Sequence, residues 1–332
     1  MPLTSLRYFL EYFRSQLFTT LPRQFNSFTG QTVIITGSNT GLGLEAARHI
    51  VRLDASKVIL AVRDAPKGDA AKRWIEESTG QLDIVEVWPL DLSSYQSVKS
   101  FAKLASNLDR LDVVVENAGK LTHDFSMAED NESTITVNVV STMLLALLLL
   151  PKLRETSQQL DKTAVLTFTG SFVHWLTNLP ERKEERILEA CAIKEKARMR
   201  DRYNVSKLLE LLAVQELANK LSVSTQPGKI TCSILNPGTV VTEIDRESHG
   251  IRSAVFQVFL KLVGRNAEEA SRTLVHAAQG LEETHGQYLD DCKVGSTSIF
   301  VRSEEGLELQ KRFWTELIEK LEAIQPGIAG NV

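Results

Sequence analysis

The sequence predicts an α/β protein built on one doubly wound parallel sheet with helices on both faces. Three observations lead there. From residue 31 onward, short apolar runs alternate with longer stretches of helical periodicity, as expected for strands buried on both faces and joined by crossover helices. A glycine-rich turn, Gly37 to Gly43, separates the first apolar run from the first helical stretch. No internal repeat and no Gly/Ser-rich linker divides the 332 residues, so one domain is expected.

The elements follow in order. Thr32–Thr36 reads as a buried strand and Leu42–Leu53 as a helix, followed by a strand at Lys57–Val62 and a helix over Pro66–Ser78. Strands are expected at Ile84–Val87 and Val113–Val115, with a helix near Tyr95–Leu108 between them. A long helix over Ser133–Leu150 leads to a strand at Ala164–Phe168. Beyond a charged stretch come a helix at Val205–Leu221, a strand at Ile230–Leu235, a helix over Glu268–Gln279 and a short strand near Tyr288. Leu307–Ile324 has the spacing of a terminal amphipathic helix. Residues 1–29 are read as an N-terminal amphipathic extension, 30–300 as the domain proper, and 301–332 as a C-terminal helix and tail.

Composition narrows the function. A 43% hydrophobic and 24% charged chain has the make-up of a soluble protein with a sizeable core. A formal net charge of −4 leaves no basic footprint for nucleic acid. Cys191, Cys232 and Cys292 lie far apart without metal-type spacing, and they read as thiols in a reducing compartment. No His/Cys/Asp cluster suggests a metal. The expected location is the cytoplasm. The longest apolar run, Met143 to Leu150, stops at Pro151 and reads as a buried core helix rather than a membrane span. Near the N-terminus, Leu6, Leu10, Phe13 and Leu17 share one helical face, widened by Tyr8, Phe9, Tyr12 and Phe18 and interrupted by Glu11 and Arg14. That face either packs on the protein's own surface or rests weakly on a membrane surface.

The turn Thr36-Gly37-Ser38-Asn39-Thr40-Gly41-Leu42-Gly43 sits between strand and helix, the setting of a Rossmann-type dinucleotide site. Gly37 permits the tight turn, Gly41 lets backbone approach a pyrophosphate, and Gly43 allows close helix–strand contact. The helix N-terminus supplies N–H groups to the phosphates. At the end of the second strand no carboxylate is present to hold two ribose hydroxyls; Arg63 stands there instead. A guanidinium suits a 2′-phosphate, which points to NADP(H) rather than NAD(H). The plain alternative is a solvated arginine paired with Asp64. Asp91-Leu92 borders the adenine, caps the next helix, or does both. Asn117-Ala118-Gly119 lets the chain pass close to a cofactor, with Asn117 tying neighbouring strands.

Tyr203 and Lys207 stand four apart at the start of a helix and share one face. A phenol is a poor base near neutrality, with a pKa of about 10, and a neighbouring ammonium lowers that value. Lys207 is therefore placed to activate Tyr203.

Taken in order, Thr36–Gly43, Asn117-Ala118-Gly119, Asn138, Ser171, Tyr203-x-x-x-Lys207 and Pro237-Gly238 resemble the short-chain dehydrogenase/reductase superfamily over roughly residues 30 to 290. Ala-Val-Arg-Asp at 61–64 and Gly-Gln-Tyr-Leu-Asp-Asp-Cys at 286–292 are similar to retinol-dehydrogenase-like members, and the pattern also resembles fungal reductases. The resemblance implies that Ser171 stabilises the substrate oxygen and that Tyr203 gives or takes its proton. It implies that Lys207 also holds the nicotinamide ribose and that Asn138 holds a water linking Lys207 to solvent. It further implies that Val240 and Thr242, after Pro237-Gly238, fix the nicotinamide carboxamide.

Two departures stand out. Glu116 replaces an asparagine that often precedes the Asn-Ala-Gly triplet, and Ser171 and Tyr203 lie further apart than in many relatives. The extra segment, 178–202, is expected to be a helical flap beside the active-site mouth, and 239–265 an apolar lid. His174 and Trp175 are candidates for the cleft lining, with packed structure the better reading for His174, and His123 is treated alike. The expected activity is NADPH-dependent reduction of a carbonyl, or oxidation of a secondary alcohol, on a hydrophobic small molecule such as a retinoid, steroid, terpenoid or polyketide ketone. Alternatives are a non-catalytic cofactor-binding regulator and an alkene reductase or epimerase. A monomer or weak dimer is expected, because the insertion enters beside the helices through which many relatives pair.

Overall fold

The computed structural model describes residues 12–240 and 264–332. Strand β1 (Thr32–Thr36) leads to helix α1 (Gly41–Arg52), β2 (Lys57–Val62) to α2 (Ala65–Thr79), and β3 (Val85–Pro89) to α3 (Tyr95–Ala105). Next come β4 (Val113–Glu116), a small hairpin of β5 (Met127–Ala128) and β6 (Asn131–Glu132), and a long helix α4 (Ser133–Leu160). Then follow β7 (Ala164–Thr169), the short α5 (Ile187–Cys191), α6 (Met199–Val223), β8 (Ile230–Asn236), α7 (Ala267–Ala278), β9 (Tyr288–Asp290), β10 (Lys293–Val294) and α8 (Glu304–Ile324). The main sheet runs β10-β9-β8-β7-β4-β1-β2-β3, parallel throughout except for β10. The strand order reverses between β1 and β4, and in such sheets ligands bind outside the carboxyl ends of the strands at that point.

Alternation along each strand divides the core into two layers. Ile34, Val114, Leu166 and Ile234 face α3, α4, α6 and α8, whereas Val33, Ile35, Val115 and Leu235 face α1, α2 and α7. The hairpin and β10 have no clear sequence signal, being two residues per strand.

Helix α4 runs ten residues past the expected stop at Leu150, to Leu160. Pro151 supplies no N–H to the carbonyl of Leu147, four residues back. The side-chain amide of Asn331 donates to that carbonyl at 3.0 Å, so the helix continues without an orphaned acceptor. By length and composition α4 could cross a membrane, but 89% of its most apolar window is buried inside the protein. It is a core helix.

Helix α6 begins at Met199, inside the segment read as an insertion. Arg202, 1% exposed, lies between Glu181 of the insertion at 3.2 Å and Glu132 of β6 at 3.6 Å. A buried arginine needs such partners, and they pin the last turn of the insertion to the domain. The insertion is partly helical, as expected, but it lies against α8. Glu316 of α8 accepts from the N–H groups of Ile187 and Leu188 at 2.8 and 2.7 Å, and Arg182 pairs with Glu305. Ile187, Leu188 and Cys191 are buried there. None of residues 178–202 lines the large cleft at the carboxyl ends of the strands, so the flap expectation is corrected to a brace between α6 and α8.

Candidate active site

A cleft of about 1050 Å³ opens along the carboxyl ends of β1, β2, β3, β4, β7 and β8. The turn after β1 forms its floor. Gly37 has φ of +63°, and a Cβ there would lie 2.8 Å from the Ala118 Cα; one on Gly43 would lie 2.7 Å from the Asn117 side chain. No side chain fits at either position, which keeps the backbone open to a pyrophosphate. Asn39, Thr40, Gly41 and Leu42 line the cleft with Gly37. Ser38 does not: its buried hydroxyl donates to the Ile35 carbonyl at 2.7 Å, and Gly43 likewise faces inward. The two belong to the turn's architecture rather than to its exposed surface.

Thr36 and Asn117 bind the two strands at the switch point. The Thr36 hydroxyl accepts from the N–H groups of Asn117 and Ala118 at 2.8 and 2.9 Å, and the Asn117 amide donates to the Thr36 carbonyl at 2.9 Å. Strand tying by Asn117 is as the sequence suggested.

At the end of β2, Arg63 is exposed on the cleft wall. Asp64 is occupied otherwise, accepting from the Lys67 N–H at 3.1 Å as the cap of α2 and meeting Lys67 Nζ at 3.5 Å. The Arg63–Asp64 pair considered from sequence is therefore not formed. Lys67 also lines the cleft, a second cation that the sequence reading missed although it lies four positions on. Asp91 and Leu92 line the neighbouring wall. The Asp91 carboxylate accepts from the Ser93 N–H and hydroxyl at 2.9 and 2.6 Å, so it shapes the turn and borders the cleft at once. The cap of α3 is Ser94.

Ala118 and Gly119 follow Asn117 along the floor. Asn138 lies in a π-helical turn, Thr136–Ser141, inside α4. Its oxygen accepts from the Lys120 N–H at 2.7 Å, and its nitrogen donates to the Lys120 carbonyl and the Ser206 hydroxyl, each at 2.9 Å. Ser206 in turn donates to the carbonyl of Tyr203 at 2.8 Å. The Asn138 side chain thus joins the Gly119 loop to the helix carrying Tyr203. Both amide protons are used by these partners, and the oxygen keeps a second lone pair for a water.

Ser171, Tyr203 and Lys207 meet in the cleft beside Gly119. Ser171 ends the β7 edge in extended conformation and caps a short 3-10 turn, Phe172–Trp175. Lys207 is buried; its ammonium donates to the Thr169 carbonyl and to Glu210, both at 2.7 Å. Burial pushes the Tyr203 phenol above its usual range, Lys207 pulls it down, and Glu210 pushes it up again. The sequence anticipated only the Lys207 effect. Glu210 was missed, although a carboxylate three residues after Lys207 inside an apolar helix was a signal. Asn236 was missed too. Its oxygen accepts from the N–H groups of Phe172 and Gly238 at 3.1 and 3.2 Å, and its nitrogen donates to Asp290 at 3.0 Å. One side chain so fixes the residue after Ser171 and the Pro237-Gly238 turn. Pro237, Gly238 and Val240 line the cleft; Thr242 and the apolar residues of the expected lid, 241–263, lie outside the described residues, as do residues 1–11.

His174 is 1% exposed; its Nδ1 bonds the Ser171 carbonyl at 2.7 Å, and its Nε2 accepts from the Ser298 N–H at 3.2 Å. Burial lowers its pKa to about 4, so it is neutral packed structure behind the site. Neither His174 nor Trp175 lines the cleft, which corrects that expectation, and His123 is exposed away from it. Among the described residues there is no metal-binding cluster.

Glu116 is the unusual group. It is 2% exposed, accepts from the Thr36 hydroxyl at 3.2 Å through one oxygen, and has no partner at the other. Burial, with Glu210 adding to it, pushes its pKa up to about 8. The group therefore holds a proton near neutrality that the unfolded chain would release. Stability from that proton is full below the ordinary carboxylate range, about pH 4.5, and is lost as pH rises through about 8. Glu116→Gln should flatten this dependence and melt several degrees higher than the parent in alkaline buffer. Parallel melting curves for the two proteins from about pH 6 to 9 would refute the assignment.

Comparison with known proteins agrees with this geometry. A family model described as short chain dehydrogenase matches residues 31–160. A short chain dehydrogenase/reductase of Cryptosporiopsis sp. is 45% identical over 96% of this chain and 98% of its own length. A short-chain dehydrogenase of Penicillium roqueforti is 40% identical over 96% and 84%. Among solved structures, an NADPH-bound carbonyl reductase from chicken fatty liver aligns with TM-score 0.59 at 20% identity, over 81% of this chain and all of the other. A 3-ketoacyl-(acyl-carrier-protein) reductase from Brucella melitensis, complexed with NADH, aligns with TM-score 0.58 at 20% identity over 80% and 97%. At such identities the structures show the fold.

Proposed function

This chain belongs to the short-chain dehydrogenase family of nicotinamide-dependent oxidoreductases, and from that premise we propose that it is an NADPH-dependent reductase of ketones on hydrophobic small molecules. The observation that carries the reading is that the phenol of Tyr203 shares one cleft with Ser171 and the buried Lys207. A protonated phenol is the form a general acid needs.

NADPH, when bound, supplies the hydride to the carbonyl carbon. Gly37, Asn39, Thr40 and Gly41 would hold its pyrophosphate at the start of α1, and Arg63 with Lys67 its 2′-phosphate. Ser171 donates a hydrogen bond to the substrate oxygen, and Tyr203 transfers its proton to that oxygen as the carbon is reduced. Lys207 would steady the phenolate left behind and would hold the nicotinamide ribose, while Glu210 and the Thr169 carbonyl fix the ammonium. Leu121, Met127 and Val137 supply apolar surface on the substrate side.

The test is NADPH oxidation against a panel of hydrophobic ketones, with products from deuterium-labelled NADPH identified. Label on the carbinol carbon is expected. Label at a former alkene carbon would assign alkene reduction, and no turnover with any ketone would favour a binding protein.

The chain is proposed to be monomeric. Helices α4 and α6 are covered within the chain, α6 by Phe313, Trp314, Leu317 and Leu321 of α8. The C-terminal helix therefore does the covering that the sequence assigned to the insertion. Sedimentation at micromolar concentration should give one species of about 37.0 kDa, and a tight dimer would overturn this. A cytoplasmic location with weak peripheral contact to membranes is proposed as well. Leu17, Phe18 and Phe25 are 52%, 80% and 82% exposed beside Arg14 and Arg23. Failure to co-sediment with anionic vesicles would remove the membrane contact.

A further inference from the structure

The stretch before β1 reads from sequence as an appendage, yet its side chains reach into the cleft wall more than 200 residues away. Residues 12–18 are helical, and Tyr12 and Gln16, one turn apart, face the domain. The Gln16 carboxamide grips the backbone of Thr239 at both ends. Its nitrogen donates to the Thr239 carbonyl at 2.8 Å, and its oxygen accepts from the Thr239 N–H at 3.1 Å. This copies the pairing of a neighbouring strand at a place where the sheet has ended. The Tyr12 hydroxyl lies 2.7 Å from that of Thr239. Its ring stacks on Phe172, the residue after Ser171, with centroids 4.2 Å apart. Both residues are buried, at 5% and 6% exposure.

The grip is anchored. Arg265 donates to Asp291 at 2.8 Å and to the Ser15 carbonyl at 3.2 Å, its own N–H donates to the Thr239 carbonyl at 2.9 Å, and Ser15 also bonds Asp291. Further on, the Leu21 N–H donates to Glu269 and the Leu21 carbonyl accepts from Arg272, at 2.9 and 2.6 Å, so the strap is fastened along α7. Gly238, with φ of +82°, has room for no Cβ: one would lie 2.6 Å from the Gln16 oxygen. Gln16 thus adds a third hold on this turn, beside Asn236 at Gly238 and the Arg265 N–H at Thr239.

We propose that the segment from Tyr12 to Leu21 braces the active site from behind, with Gln16 and Tyr12 as positioning residues for the Pro237–Val240 wall and for the chain after Ser171. It acts on geometry alone, since neither side chain lines the cleft. Displacements on the order of 1 Å in a reacting assembly can cost about 10²-fold in rate. The inference rests on the ketone-reductase reading above for its readout.

Gln16→Met keeps the length and packing of the side chain and removes both hydrogen bonds; Tyr12→Phe keeps the stack on Phe172 and removes the hydroxyl. The measurements are NADPH Kd by fluorescence titration, kcat and KM on a ketone turned over by the parent, and melting temperature. We expect Gln16→Met to weaken NADPH and lower kcat by about 5–50-fold together, with melting within a few degrees of the parent. Tyr12→Phe should show a smaller loss of the same kind, and Tyr12→Ala a larger one. Parent-like Kd, kcat and KM in Gln16→Met would overturn the proposal. So would losses that merely follow the unfolded fraction. A parent that reduces no ketone would instead count against the function, leaving the NADPH titration to judge the strap.

Discussion

Tyr203→Phe should reduce ketone turnover by about 10²–10⁴-fold, the usual worth of a positioned general acid, while NADPH affinity changes little. The substitution removes one oxygen and keeps the ring. The helix is held by contacts that do not involve the hydroxyl, namely Arg202 with Glu181, and Asn138 through Ser206 to the Tyr203 carbonyl. Folding and cofactor binding should therefore survive, and the loss should appear in kcat. Lys207→Ala is a less clean probe. It would leave the Glu210 carboxylate buried without its cation, and stranding such a charge commonly costs about 3–5 kcal/mol. Ser171→Ala should lower the rate and leave Kd alone. A Tyr203→Phe protein that retained most of the parent's turnover would end the assignment of tyrosine-dependent reduction, even with NADPH still binding.

Arg63→Ala should weaken NADPH by roughly 10–100-fold, about 1.5–3 kcal/mol for hydrogen bonds to a charged group, and leave NADH almost unchanged. Arg63 stands exposed on the cleft wall without an ion pair among the described residues, because Asp64 is engaged with Lys67 and the α2 cap. Exposure screens its charge, so the lower half of that range is expected. Lys67 should retain part of the preference, and Arg63→Ala/Lys67→Ala should bring the two cofactors close to parity. Titrations in which Arg63→Ala weakens NADPH and NADH equally would show that the guanidinium does not read the 2′-phosphate.

The sequence by itself determined the class of the molecule. Two-sided apolar strands can be buried only in a sheet covered on both faces, and the strand ends carrying Gly37, Arg63, Asn117, Ser171 and Pro237 then lie along one edge. These signals are local, each within a few residues of chain, and they were legible for that reason. What lay between distant residues was not. Nothing near Pro151 announces that Asn331 will satisfy the Leu147 carbonyl and carry α4 onward. The charged segment before Tyr203 reads equally well as a flap or a brace until Glu316 is seen to cap α5 and Arg202 to sit between Glu181 and Glu132. Burial likewise reversed the direction expected for the Tyr203 phenol and made Glu116 a proton-holding acid. The tertiary structure decided these points, because the free energy of a buried charge or unpaired carbonyl depends on what the rest of the chain brings to it. Gln16 and Thr239 are the extreme case: 223 positions separate them, and only the finished fold makes one a partner of the other.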